Sequence, residues 1–368
     1  MRSRHFVLLF VLVVLLVFFI YCLARKTNHT PAGYICAILA FATMIAAGWL
    51  LLFPRLSPVA PTGDYKVATC DCFYTDQVRI ETYTNDGSHR ELAVSFWYPE
   101  DCEQGGSCPL IVFSHGSLGV KSSNETLYNE LASHGYVVCA MDHTYQCFRT
   151  ENSKGKKISI DFGFMKEIMK VSPEKKPEES LLYYEKWMNI RMGDINLVLD
   201  TAIGKAQAQS DALPVYRLID TSKIALIGHS LGGSSVLGIG RIRSDISAVI
   251  AFEAPFMYDI KKIEDGKFVF DNADYPVPIM NIYSDTGWEP MRKWDLYAQN
   301  CILLDSRRSD VQNTHISGTN HLGLTDFCMF SPFLGDLFSG SIAKNGPHKT
   351  LSQLNEVCLE FFDKHVRR

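Results

Sequence analysis

The stretch Lys223-Ile-Ala-Leu-Ile-Gly-His-Ser-Leu-Gly-Gly233 decides the fold. Lys223 to Ile227 reads as a short strand, apolar enough to be buried on both faces. Gly228-His229-Ser230-Leu231-Gly232 follows at once, and a helical pattern begins behind it. Strand, turn and helix around G-x-S-x-G place a serine on a tight elbow above the end of a sheet. Side chains at positions 228 and 232 would collide with neighbouring backbone, which accounts for the glycines. The helix that starts there supplies a field favouring negative charge. Ser230 is therefore the expected nucleophile. Ser234 and Ser235 lie one turn further on and read as packed or exposed helix serines.

On both sides of this elbow, short apolar runs alternate with helical patterns. Strands are expected at Leu92–Tyr98, Leu110–Ser114, Tyr136–Met141, Ala248–Phe252, Pro278–Tyr283 and Thr314–Ser317. Helices are expected at Glu125–His134, where Gly135 suits a C-terminal cap, at Glu179–Ala206, behind Ser230, and at Leu351–Val366. Alternation of this kind implies an α/β fold, a mainly parallel sheet with helices on both faces. Ligands in such sheets bind beyond the carboxyl ends of the strands. Polar residues just after each strand are thus the ones that matter.

Acyl transfer needs two backbone N–H groups aimed at the developing oxyanion. Leu231, the residue after the nucleophile, supplies one. The loop Ser114-His-Gly-Ser-Leu-Gly119 follows an earlier strand, and the Ser117 N–H is the expected second donor. His115 in that loop reads as a structural histidine. The base should follow the last core strand, and His321 in Gly318-Thr-Asn-His-Leu-Gly323 does so. His315 lies within the strand, and His348 and His365 lack this context. Two carboxylates compete to orient the base: Glu253 directly follows one strand and Asp285 follows the next. Spacing does not separate them.

These residues resemble the platelet-activating-factor acetylhydrolase family of the secreted and intracellular type. The resemblance runs from about residue 90 to 330. It rests on Val112-Phe-Ser-His-Gly-Ser117, Leu131-Ala-Ser-His-Gly-Tyr-Val-Val138 and Ile219-Asp-Thr-Ser-Lys-Ile-Ala-Leu-Ile-Gly-His-Ser-Leu-Gly-Gly233. Dienelactone-hydrolase-like and cutinase-like esterases are similar at a lower level. The resemblance implies an α/β-hydrolase fold and release of short or oxidised acyl chains from the sn-2 position of phospholipids, with no metal or other cofactor. In the family the acid follows the strand beside the nucleophile strand. Ala251-Phe-Glu-Ala-Pro255 matches that segment, so the resemblance favours Glu253, a glutamate where the family usually has aspartate. It also has Ser117 where the family often has an aliphatic residue.

The N-terminus lies outside the resemblance. Residues 6–24 and 31–53 form two apolar runs, each long enough to cross a bilayer of roughly 30 Å as a helix. The expected division is a membrane hairpin over residues 1–54, turning at Arg25–Thr30, and a catalytic domain over 65–368. A cleaved signal peptide is the competing reading of the first run, but that run is long and Cys22-Leu-Ala-Arg-Lys26 is a poor cleavage site. Arg2, Arg4 and Arg55 against Arg25 and Lys26 give too small a contrast to orient the hairpin. Of the 11 cysteines, nine follow residue 54. Cys102 and Cys108 close a Gly-rich loop that suits a disulfide, which places the domain outside the cytoplasm. Neither these cysteines nor Asp142-His143 has the further ligands of a metal site. A net charge of −4 with no basic stripe excludes a nucleic-acid surface. The expected partners are a lipid or small ester substrate and the membrane.

The connection Thr144–Ser180 is longer than usual. Its Phe162, Phe164, Met165, Ile168 and Met169 could form one apolar helix face, either a cap over the substrate or a helix packed on its own domain. Two rival functions remain: a non-catalytic membrane module on the same fold, and acyl transfer to an alcohol or amine instead of water.

Overall fold

The computed structural model describes residues 2–24, 31–102 and 107–367. Eight strands form the central sheet: β1 (Val67–Ile80), β2 (His89–Pro99), β3 (Cys108–Ser114), β4 (Val137–Met141), β5 (Ile219–His229), β6 (Ile246–Phe252), β7 (Ile279–Tyr283) and β8 (Val311–His315). Their spatial order is β1-β2-β4-β3-β5-β6-β7-β8. Only β2 runs against the rest, pairing antiparallel with β1 and with β4. The sheet is therefore mainly parallel, as expected. The expected strands all occur, with β8 ending at His315, two residues earlier than the sequence suggested. β1 was not anticipated.

Helices cover both faces because the central strands are apolar on both. Ile111, Phe113, Ala225 and Ile227 pack on one side with Leu127 and Leu131 of the helix Glu125–Ser133 and with the C-terminal helix Pro347–His365. Leu110, Val112, Ile224 and Leu226 pack on the other. There they meet Met188, Ile195 and Leu199, from the long helix Pro177–Gln207, and Val236, from the helix Leu231–Ile242. Fully burying each such Leu, Ile, Val, Phe or Met side chain contributes about 1.5–3 kcal/mol. Two small antiparallel hairpins, Arg149–Glu151 with Lys157–Ser159 and Ile260–Glu264 with Lys267–Phe270, stand apart from the sheet.

The helix Phe162–Lys170 lies in the expected cap segment, but its apolar residues part company. Phe164 is buried edge-on against Trp187, whereas Phe162 and Met169 are exposed.

The N-terminal runs are helical over Arg2–Ala24 and Pro31–Leu52. They pack on each other, with the Phe19 and Phe41 rings 5.2 Å apart. The expected turn at residues 25–30 lies outside the described residues. Among the described residues, one helix, Gly33–Leu52, is long and apolar enough to cross a bilayer, and the shorter apolar stretch is Phe10–Tyr21. The disulfide expected between Cys102 and Cys108 is not formed. Their sulfurs lie 3.2 Å apart as free thiols, and residues 103–106 of their loop lie outside the described residues. Cys70 and Cys72 are free as well; their spacing is that of one face of strand β1.

Candidate active site

The elbow after β5 has the geometry its sequence demands. Ser230 sits at φ 53° and ψ −123° at the start of the following helix, and its N–H donates to Phe252 O at 2.8 Å. A Cβ on Gly228 would stand 2.5 Å from Gly232 O, and one on Gly232 would overlap the carbonyls of Ser114 and His115. Leu118 and Glu253 also have positive φ, at 65° and 44°. Each such residue stores on the order of 1–3 kcal/mol, and strain of this kind gathers at functional sites.

Glu253 follows β6 and is buried. One carboxylate oxygen lies 3.2 Å from His321 Nδ1. The other accepts the Ser284 N–H at 2.9 Å and the Ser284 hydroxyl. Burial pushes this carboxyl up, but His321 and the two Ser284 donors outweigh it and hold it below the ordinary glutamate value. His321 is brought against the elbow by the residue before the nucleophile. The His229 and His321 rings are 4.5 Å apart, and His229 Nε2 lies 3.2 Å from the His321 carbonyl. Burial, with His321 beside it, pushes His229 well below the ordinary histidine value. Among the described residues the Ser230 hydroxyl makes no hydrogen bond, so its link to His321 rests on that adjacency.

Asp285 pairs with the other histidine. Its Oδ1 lies 2.9 Å from His315 Nε2, its Oδ2 accepts the Gly318 N–H at 3.1 Å, and Trp288 stacks on His315 at 4.9 Å. Thus the structure brings Glu253 to His321 and Asp285 to His315.

The remaining polar groups of the motif are engaged in the fold. Ser234 donates to Pro255 O and Ser235 to Leu231 O. His115 is fully buried. Its Nε2 accepts the His143 N–H at 3.2 Å, so its Nδ1 carries the proton that is donated to Gly116 O at 2.7 Å. Asp142 accepts from the Lys121 N–H and the Thr150 hydroxyl. His143 bridges Ser114 Oγ at 2.8 Å and Asp194 Oδ2 at 2.9 Å. Among the described residues no group of His, Cys, Asp and Glu side chains could hold a metal ion. The backbone N–H groups of Ser117 and Leu231 donate to no acceptor among the described residues.

The family model described as platelet-activating factor acetylhydrolase, isoform II, matches residues 88–368. The chain belongs to that family. Relatives include platelet-activating factor acetylhydrolases from Gallus gallus (24% identical over 278 residues), Bos taurus (26% over 274) and Cavia porcellus (30% over 275). Each match covers 71% of this chain, but 63% of the chicken protein and 58% of the other two. The chain thus spans less than two thirds of these acetylhydrolases' length. A solved ferulic acid esterase from Streptomyces cinnamoneus shares the fold, with a TM-score of 0.62, 18% identity and coverage of 85% of this chain and 94% of that one.

Sequence reasoning missed Ser284, whose two donors hold the Glu253 carboxylate. It directly follows strand β7 and stands immediately before Asp285. Arg191 and Asp194 were missed too. Their signal was two charges on the apolar stripe of Glu179–Ala206, between Met188 and Ile195.

Proposed function

We propose that this chain is a membrane-anchored serine ester hydrolase that releases short acyl chains from phospholipids. The observation that carries the reading is the pairing of buried Glu253 with the partly exposed His321, set against the strained Ser230 elbow. Ser230 attacks the ester carbonyl, and His321 takes its proton. Glu253 fixes the imidazole and stabilises its cation. The N–H groups of Ser117 and Leu231 hold the oxyanion. The alcohol leaves with a proton returned by His321, and water then cleaves the acyl-enzyme with the same base. A Ser230–His321 hydrogen bond forms when the ester binds, since catalytic contacts that are long or absent in a free enzyme close in the complex.

The lipid part rests on the family and on the placement of apolar surface. Residues 1–54 act as the anchor and 65–368 as the catalytic domain, with 144–180 as its cap. Phe53, at the end of the second apolar helix, packs on Phe330 at 4.8 Å. Phe330, Leu337, Phe338 and Ile342 are exposed beside it and follow His321 in the chain. The anchor and the active site therefore share one apolar flank, which suits a substrate drawn from a bilayer.

The test is turnover of glycerophospholipids carrying sn-2 acetyl, hexanoyl or palmitoyl groups by the full chain in detergent, with free acid and acyl transfer to added alcohols measured. Release of acetate faster than palmitate, with no preference for the alcohol acceptor, is expected. Transfer outpacing hydrolysis would make the chain an acyltransferase. The absence of turnover on every ester would leave it a non-catalytic module.

A further inference from the structure

Arg191 is the largest fully buried side chain with a charge, and it points at the loop that carries the oxyanion donor. It lies on the helix Pro177–Gln207 beneath the sheet end. Its Nη1 donates to His115 O and its Nη2 reaches Gly116 O at 3.5 Å, while Nε donates to Gln146 Oε1 at 2.7 Å. All three acceptors are neutral. The carboxylate one turn along, Asp194, is taken by Arg90, Arg79 and His143. A guanidinium buried among carbonyls is costly to keep, so its place calls for an explanation beyond packing.

The explanation lies in the peptide units it holds. In a trans peptide the N–H points opposite to the C=O. Drawing the Gly116 carbonyl toward Arg191 therefore aims the Ser117 N–H away from it. The same carbonyl also accepts from Gly119 N at 3.1 Å and from His115 Nδ1 at 2.7 Å. The loop is pressed against the elbow: a Cβ on Gly116 would stand 2.8 Å from His229 Nδ1 and 3.3 Å from Ser230 Cβ. The Ser117 N–H, without an acceptor among the described residues, is left beside the nucleophile.

We propose that Arg191 is a positioning residue for acyl transfer: its fork clamps the His115 and Gly116 carbonyls and so fixes the Ser117 N–H toward the oxyanion. Its charge, passed along the two peptide dipoles, adds to oxyanion stabilisation without touching substrate. This rests on the reading of Ser230 as nucleophile and Ser117 as oxyanion donor. Burial pushes the guanidinium down to about 9 against the pull of Asp194, so it stays charged at neutral pH.

The test uses the full chain in detergent with p-nitrophenyl acetate and a trifluoromethyl ketone, whose adduct with serine carries an oxyanion. For Arg191→Met, kcat should fall about 100-fold, in the range of a lost oxyanion donor. KM should stay within about threefold, and the ketone's inhibition constant should rise by the same factor as kcat falls. The thermal midpoint should fall modestly, since the buried His115 carbonyl and Gln146 Oε1 lose their donor, and the kinetics are read well below it. Arg191→Lys, which keeps the charge but loses the fork, should lose about tenfold in both readouts, and it carries the test if Arg191→Met does not fold. A folded variant with kcat and ketone affinity equal to wild type overturns the proposal. If Ser230→Ala retains turnover, the underlying reading fails instead. If Ser230→Ala is inactive while Arg191→Met and Arg191→Lys match wild type, only the role of Arg191 falls.

Discussion

Two chains of serine, histidine and carboxylate lie at neighbouring strand ends. Ser230, His321 and Glu253 surround the elbow; Ser114, His143 and Asp194 stand behind it, with Ser114 the register partner of Gly228. The residue types are nearly the same, and the surroundings are opposite. Ser114, His143 and Asp194 are fully buried, whereas Ser230 and His321 are partly open to solvent. Burial would raise the Asp194 carboxyl, but the charge and donors of Arg90 and the His143 contact hold it well below the usual range. Burial, helped by Arg191, pushes His143 down to about 4 despite Asp194. That imidazole is neutral and sealed from any substrate. Glu253 has no arginine among the described residues, only His321 and the Ser284 donors, so its charge is free to meet an imidazolium. What lies around the carboxylate, more than the triplet itself, separates a scaffold from a site that can do chemistry.

The sharpest way to break this contrast is to disable each carboxylate. Glu253→Gln should cut kcat about 10³- to 10⁴-fold with the fold intact, because the imidazole loses its orienting acceptor. Steady-state kinetics on p-nitrophenyl acetate reads this, and a loss below tenfold would remove Glu253 from the triad. Asp194→Asn should act on stability, by about 3–5 kcal/mol in urea unfolding, since it leaves Arg90 buried and short of its partner. An unchanged unfolding midpoint would show the inner cluster to be dispensable.

Acid should separate the two chains further. The unfolded chain takes up a proton on His143 near pH 6.5, while the folded chain resists until about 4. Between those values the unfolded state binds more protons, so stability is full above pH 6.5 and falls as pH drops toward 4, by about 3 kcal/mol from this residue. His115 and His229, also pushed down by burial, steepen the fall. His143→Gln should flatten the slope of unfolding free energy against pH, and a parallel slope would contradict the assignment. The smallest effect is expected at the other His–carboxylate pair: Asp285→Asn should change kcat less than about fivefold, because Asp285 serves His315 and the Gly318 turn.

Much of this was legible in the sequence because it is local. Strand ends, the elbow glycines and the histidine after the last strand are written in short stretches, and the apolar runs of β3 to β7 are continuous. β1 was not, since Thr69-Cys-Asp-Cys-Phe-Tyr-Thr75 is an edge strand of alternating, partly exposed residues with no apolar run. The choice of acid was open because Glu253 and Asp285 both follow strands. Only the folded arrangement shows Ser284 turned onto one of them and His315 onto the other. Arg191 was hidden for the same reason: two of its three acceptors are backbone carbonyls more than seventy residues away in the chain.

On this reading Ser230, partly open to solvent, is the nucleophile, and the buried Ser114 is not. A fluorophosphonate applied to the full chain, followed by peptide mapping of the adduct, tests it. The expected result is one adduct on Ser230 that disappears in Ser230→Ala and persists in Ser114→Ala. Equal labelling of Ser230→Ala and wild type, or an adduct on any other serine, would contradict it.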